Sequence, residues 1–499
     1  MRSPLCTIAA LVLAVQATVL GAAQETMKPK KPSYPPVQEP REVHFPAFEQ
    51  KTLANGLRVV VIEHGETPSV TVQMLFRAGR AFDPAAKAGL AAATARLLRE
   101  GTATRSSQQI AQAIDSVGGS LDTYGSMDSA GASLQATADQ LDLGLDLLSD
   151  MVLHPSFPAE EVERWRRQTL NGLQVQQEDA GYLADAAFDR AVFNGHPYGL
   201  PADGTPESVG SLTRDDLVAF HREHYVPNQA ILAVVGDVKA ADVFARVERA
   251  FGAWPRGKEH EIAKVEMAQG GKRRIVVIDM PDAVQSEIRV GQIGIAFTDP
   301  DAFAADVYNS ILGGGSGARL NEEVRNKRGL SYGAGSGFVK AVQPGSFQAS
   351  TFTKTESTVQ TVEVMLDTMR ELNKTTVPAA ELEARKTYLS GVFPLQIETP
   401  DGIAGKVLEA MKYGLGREYI ESYRGRIDAV TAEQVRSFSE RRIHPESTLV
   451  VVVGNASAFL PELQKKLGQV EVIPYQELDL LRADLRRPGK AEEKPAGTR

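Results

Sequence analysis

Cysteine is almost absent from this chain: there is one, Cys6, close to the start. If the leader that contains it is removed, the mature chain can form no disulfide, no cysteine nucleophile and no thiolate metal site. A basic excess is missing too. Lysine and arginine number 55 against 63 acidic residues, a net charge of -8, so no electrostatic footprint for nucleic acid exists. After residue 23 no apolar run is long enough to span a bilayer, and no stable membrane insertion is expected. There is no Gly-Lys-Ser/Thr phosphate loop. Gly313 to Ala318 fits a loose G-x-G-x-x-A, but it follows a predicted helix, Ala302 to Leu312, where a dinucleotide fingerprint needs a strand.

What is present is a long, soluble-type chain. At 499 residues it exceeds what one hydrophobic core covers, and 42% apolar with 24% charged residues is ordinary for globular domains. Residues 1–23 read as a secretory signal peptide, with an uncleaved anchor as the alternative. Arg2 is the basic start, Leu5 to Leu20 the apolar core, and Gly21-Ala22-Ala23 the small-residue site before Gln24. The expected location is periplasmic or secreted. Residues 24–46 form a Pro/Lys-rich leader.

The remainder contains a repeat. LTRDDLVAFHREHYVPNQAILAVVG (212–236) aligns without a gap on VTAEQVRSFSERRIHPESTLVVVVG (430–454). Thr213, Phe220, Pro227 and Gly236 fall on Thr431, Phe438, Pro445 and Gly454. Leu170 and Gly172 fall on Leu389 and Gly391. Thr213 and Thr431 precede acidic residues and read as helix N-caps. The chain is therefore two copies of one α+β domain, 47–256 and 273–478, with an irregular linker at 257–272 and a polar tail at 479–499 expected to be disordered. His221 and His224 flank Glu223 at a predicted helix end, and their repeat equivalents are Ser439 and Arg442. They read as packing residues rather than metal ligands.

One corner draws attention. After Gly313, Gly314 and Gly315 a charged helix is predicted from about Ala318 to Arg328, closed by Gly329 and followed by strand from Leu330. Arg325 and Tyr332 then stand on one side of a tight turn, two donors suited to a peptide carbonyl or its oxyanion. Taken alone, these residues are better explained as a surface Arg and a half-buried Tyr in an ordinary helix-loop-strand.

Several segments together resemble the pitrilysin/insulinase-type zinc metallopeptidases, in the branch of the mitochondrial processing peptidase. They are NGLRVVV (55–61), GLAAATARLLREGT (89–102), HPYGLPADGT (196–205), HYVPNQAILAVVGD (224–237), GGGSGARL (313–320) and VRNKRGLSY (324–332). The resemblance implies two similar α/β halves, each a mixed, largely antiparallel sheet flanked by helices, arranged as a clamshell. In catalytic members an inverted His-x-x-Glu-His motif and a distant Glu hold zinc and activate its water. The matching positions here are Ala92, Ala95, Arg96 and Gly172, so no metal is expected on this chain. Gly172, matched by Gly391, reads as a helix-packing residue. The family's second element, an Arg and a Tyr seven residues apart, is matched by Arg325 and Tyr332, and its glycine loop, implicated in handling substrate, by Gly313, Gly314 and Gly315. The resemblance implies a non-catalytic subunit that binds an extended peptide, with zinc on a paralogous partner carrying His-x-x-Glu-His. A homodimeric peptide-binding or scaffold protein without peptidase activity is the alternative.

Overall fold

The computed structural model describes residues 44–266 and 272–488, and the signal peptide and most of the leader lie outside them. The first half builds one six-stranded sheet. Its strands are β1 (Glu49–Thr52), β2 (Arg58–Glu63), β3 (Ser69–Phe76), β4 (Ser120–Gly125), β5 (Ala130–Thr137) and β6 (Ala230–Gly236), in the order β1-β2-β6-β3-β5-β4. The second half builds another from β7 (Ile275–Asp279), β8 (Gln285–Ile293), β9 (Ala334–Phe338), β10 (Ser346–Lys354), β11 (Leu449–Gly454) and β12 (Glu471–Pro474), in the order β12-β7-β11-β8-β10-β9. Strand for strand, β2-β6-β3-β5-β4 repeats as β7-β11-β8-β10-β9. In each, the first pair is parallel and the rest antiparallel. Only the outer strand differs: β1 runs antiparallel to β2, whereas β12 runs parallel to β7.

The continuous apolar runs of β6 and β11 are buried along their whole length, as strands covered on both faces must be. One face of each sheet packs under helices of its own half. The other face is covered by a helix from the opposite half. Helix α1 (Leu90–Leu97) and helix α2 (Ala159–Gln176) stay with the first sheet. Helix α3 (Ala180–Val192) instead lays Leu183, Ala184, Ala187 and Phe188 on Val276, Ile278, Val451 and Val453 of the second sheet. Helix α4 (Pro400–Lys412) returns the exchange, packing on β6 and β3. Polar pairs fix both crossings. Arg289 of β8 forks onto Asp185 of α3 at 2.6 and 3.2 Å, and Asp401 of α4 accepts from Gln73 of β3 at 2.6 Å. Thr213 and Thr431 each form a capping box, with Asp216 and Gln434.

Two expectations, for the tail and for the charged helix, require correction. The tail is folded as far as residue 488: Leu478, Leu480 and Leu485 are buried against α3 and the second sheet, and Arg190 donates to Leu481 O at 2.8 Å. Sparse leucines among charges hid this packing. The described part of the linker, 257–266, is irregular as expected, and Ile262 and Val265 are buried beside Tyr198. The charged helix is short: Arg319–Asn321 is α-helical and Glu322–Asn326 is a wider π-turn, so strand β9 begins only at Ala334. No helix among the described residues is long and apolar enough to cross a membrane.

Candidate functional site

The glycine corner is built by close approach. A Cβ on Gly313 would lie 2.3 Å from the Ser336 nitrogen, which donates to Gly313 O at 3.2 Å. Glycine here lets the end of the Ala302–Leu312 helix touch β9. Gly314 is packed against Ser310, and Gly315 alone of the three faces open space. Beyond them Arg319 forks onto Glu381 at 3.0 and 2.7 Å, and buried Asn321 donates to Ser316 O. Val324 anchors the π-turn in the core. Gly329, at φ +62°, reverses the chain and donates to Arg325 O at 3.0 Å.

The segment after the turn is pinned from behind. Thr353 donates to Leu330 O at 2.6 Å and Thr351 to Gly333 O at 2.8 Å, both from β10. The Tyr332 backbone between them is thereby fixed while its side chain, 78% exposed, projects into solvent. It stands before the strand, not in it, and is not half-buried. The Arg325 guanidinium lies over its ring, 4.8 Å from the centroid. Neighbouring Lys327 and Arg328 are both ion-paired to Glu323. Arg325 makes no side-chain hydrogen bond or ion pair among the described residues. The corner thus neutralises two of its cations and leaves one free beside an exposed phenol. Asn321, Thr351 and Thr353 were not read as site residues; the alternation along β10 carried the only signal for the two threonines.

The degenerate metal positions divide. Ala92 and Arg96, one turn apart on α1, line a cavity of about 190 Å³ with Gly172 of α2. Ala95 is fully buried in the core beneath them. Gly172 is not a packing residue: a Cβ there would meet nothing within 4 Å. It faces the cavity instead. Asp203 is the only carboxylate on the lining, while Glu178 lines a different hollow. The start of α1 is held by Asp83, whose carboxylate accepts from Gly89 N and Ala91 N at 2.9 Å each. Burial pushes its pKa up to about 7. Two alanines, a cation and a glycine offer no lone pair to Zn²⁺, and one carboxylate cannot make a tetrahedral set. The cavity does not fit zinc.

His221 bonds the Val152 carbonyl at 2.9 Å through Nε2 and stacks on Tyr225, and His224 stacks on Phe82. Burial lowers both to about 4. No group of three or more His, Cys, Asp or Glu side chains able to hold a metal occurs among the described residues.

Fold and site define a two-repeat chain of the metallopeptidase clamshell type, with a cavity between α1 and α2 whose lining does not suit zinc. Residues 58–205 match the model for the insulinase family, peptidase family M16, and residues 211–389 match the peptidase M16 inactive domain. A solved peptidase M16 inactive domain from Pseudomonas fluorescens is 30% identical, with a TM-score of 0.77 over 82% of this chain and 98% of that one. The chain belongs to peptidase family M16. An uncharacterized zinc protease of Mycobacterium leprae is 28% identical over 79% of this chain and 88% of its own length. A Helicobacter pylori protease shares the fold at 20% identity, with a TM-score of 0.76 over 82% of this chain and all of that one.

Proposed function

We propose that this chain is the non-catalytic, substrate-binding subunit of a periplasmic heterodimeric zinc metallopeptidase. Zinc and its activated water belong to a paralogous partner carrying His-x-x-Glu-His. The observation that carries the reading is the contrast between the two halves. The first half has a pocket without ligands; the second holds a free guanidinium and an exposed phenol on a pinned turn. A chain selected only as a scaffold has no use for a guanidinium left unpaired beside two neutralised neighbours.

Arg325 and Tyr332 donate to the scissile carbonyl and strengthen those bonds as it becomes a tetrahedral oxyanion. Removing one such preorganised donor costs about 2.7–4 kcal/mol of transition-state stabilisation. Strand β9 begins two residues after Tyr332 and pairs only with β10 among the described residues. Its open edge suits an extended peptide added as a further strand.

Purifying the chain alone and with the partner, then measuring bound zinc and peptide cleavage, tests this. Zinc and activity should appear only in the pair. Zinc-dependent cleavage by the lone chain would refute the assignment, and a stable homodimer that binds peptide but never cleaves with any partner would favour the scaffold reading.

A further inference from the structure

A second charged site lies where the two halves meet. Arg58 of β2, Arg77 just after β3 and Lys412 at the end of α4 line one cavity of about 100 Å³, together with Asp128 and Val342. Three cations share this space almost without partners. Arg58 Nη1 reaches only the Met411 carbonyl, at 3.4 Å. The Arg77 guanidinium makes no hydrogen bond or ion pair among the described residues. The Lys412 ammonium sits over the Tyr413 ring, 4.5 Å from the centroid.

The carboxylates nearby answer these charges only in part: Asp128 and Glu409 favour the charged form of Lys412, but no carboxylate forms an ion pair with any of the three cations among the described residues. Asp128 is already engaged on both oxygens: Oδ1 accepts from Tyr198 OH at 2.5 Å and Oδ2 from Val342 N at 2.8 Å. Glu259, the other carboxylate on the lining, is exposed and held by Asn228 at 3.4 Å. Burial together with the Arg77 charge lowers the pKa of Arg58, and burial lowers that of Lys412. Gathering like charges in a half-buried space is unfavourable unless something neutralises them.

We propose that this cavity is a binding site for a small tetrahedral oxyanion of the size and charge of inorganic phosphate. The space is too small for a drug-sized organic ligand, whose pockets run to about 300–1,000 Å³. Two guanidiniums and an ammonium match a multivalent oxyanion, with forks that can bond two oxygens each. The cations come from both halves, and the cavity borders the seam where Asp128 and Tyr198 of the first half hold Val342 and Gln343 of the second. A bound oxyanion therefore ties the halves together at a point remote in sequence from the peptide-binding corner.

The test uses the full chain, titrated calorimetrically and melted in phosphate, sulfate, glutamate and chloride at matched ionic strength. Phosphate and sulfate should bind with saturable heat and raise the melting temperature, while chloride and glutamate do neither. Arg77→Gln, and independently Lys412→Met from the other half, should weaken phosphate binding by about 10-fold or more, the equivalent of one lost charge-assisted hydrogen bond. In phosphate-free buffer Arg77→Gln should melt no lower than wild type, because it relieves repulsion. Equal stabilisation by chloride would overturn the site, and equal stabilisation by glutamate would overturn its assignment to a tetrahedral oxyanion. Variants that melt early in every buffer while keeping the phosphate response would show a merely structural role.

Discussion

Replacing Gly172 with alanine should make the chain more stable. The residue lies inside helix α2, four positions before its end, where glycine costs about 0.5–1 kcal/mol relative to alanine through backbone entropy. Glycine is normally retained at such a place because a Cβ would clash or because φ is positive. Neither holds here: a Cβ would find nothing within 4 Å, and Gly172 is not among the glycines of positive φ. Gly391 sits at the matching position of the second repeat with the same open space. The two sites lie in different halves, so the gains should add. Gly172→Ala should yield about 0.5–1 kcal/mol and the double variant about 1–2 kcal/mol, read from urea midpoints at constant m-value. Gly172→Glu, which restores a carboxylate to the cavity wall, should likewise fold without loss. A destabilised Gly172→Ala would mean that the helix needs a bare backbone there, and that the cavity between α1 and α2 is occupied in the working protein.

Further outcomes follow from other parts of the structure. Tyr198→Phe leaves Asp128 Oδ1 buried without its short donor and should cost about 1–3 kcal/mol, measured by chemical denaturation. Leu485→Ala, in the folded tail, should cost about 2–5 kcal/mol, whereas a disordered tail would show no change. Asp83 holds its proton up to about pH 7 when folded and to about pH 4 when unfolded. The folded chain therefore binds more protons across that interval, and this residue's contribution to stability falls as pH rises from about 4 to 7. Asp83→Asn should flatten that segment of the pH–stability curve.

How much was legible in the residues varies by element, for physical reasons. The apolar runs of β6 and β11 announce strands covered on both faces, and Ala302–Leu312 forms a helix over the predicted span because its apolar spacing is unbroken. The repeat follows from matched caps and glycines. The exchange of α3 and α4 between halves leaves no local trace, since an amphipathic helix looks the same whichever sheet it covers. Leu330 onward reads as strand in the sequence, but the threonine side chains of β10 take the Leu330 and Gly333 carbonyls, and ladder pairing begins only at Ala334. In the sequence Gly172 looks like a packing glycine, because glycine pairs in a repeat so often mark close contacts, whereas in the structure a Cβ there would meet no neighbour within 4 Å. The cation cluster at the seam was invisible, because Arg58, Arg77 and Lys412 meet only in three dimensions.

The measurement that bears most directly on the account is kcat/KM of the reconstituted complex carrying Tyr332→Phe. The phenol is 78% exposed, and its ring meets the Arg325 guanidinium, a contact whose worth at such a site is about 0.5–1 kcal/mol. Folding stability and the zinc content of the complex should therefore stay close to wild type. Peptide cleavage should fall by about 10²–10³-fold, the cost of one oxyanion donor. A Tyr332→Phe complex that cleaves as fast as wild type would contradict the claim that this corner is half of an active site.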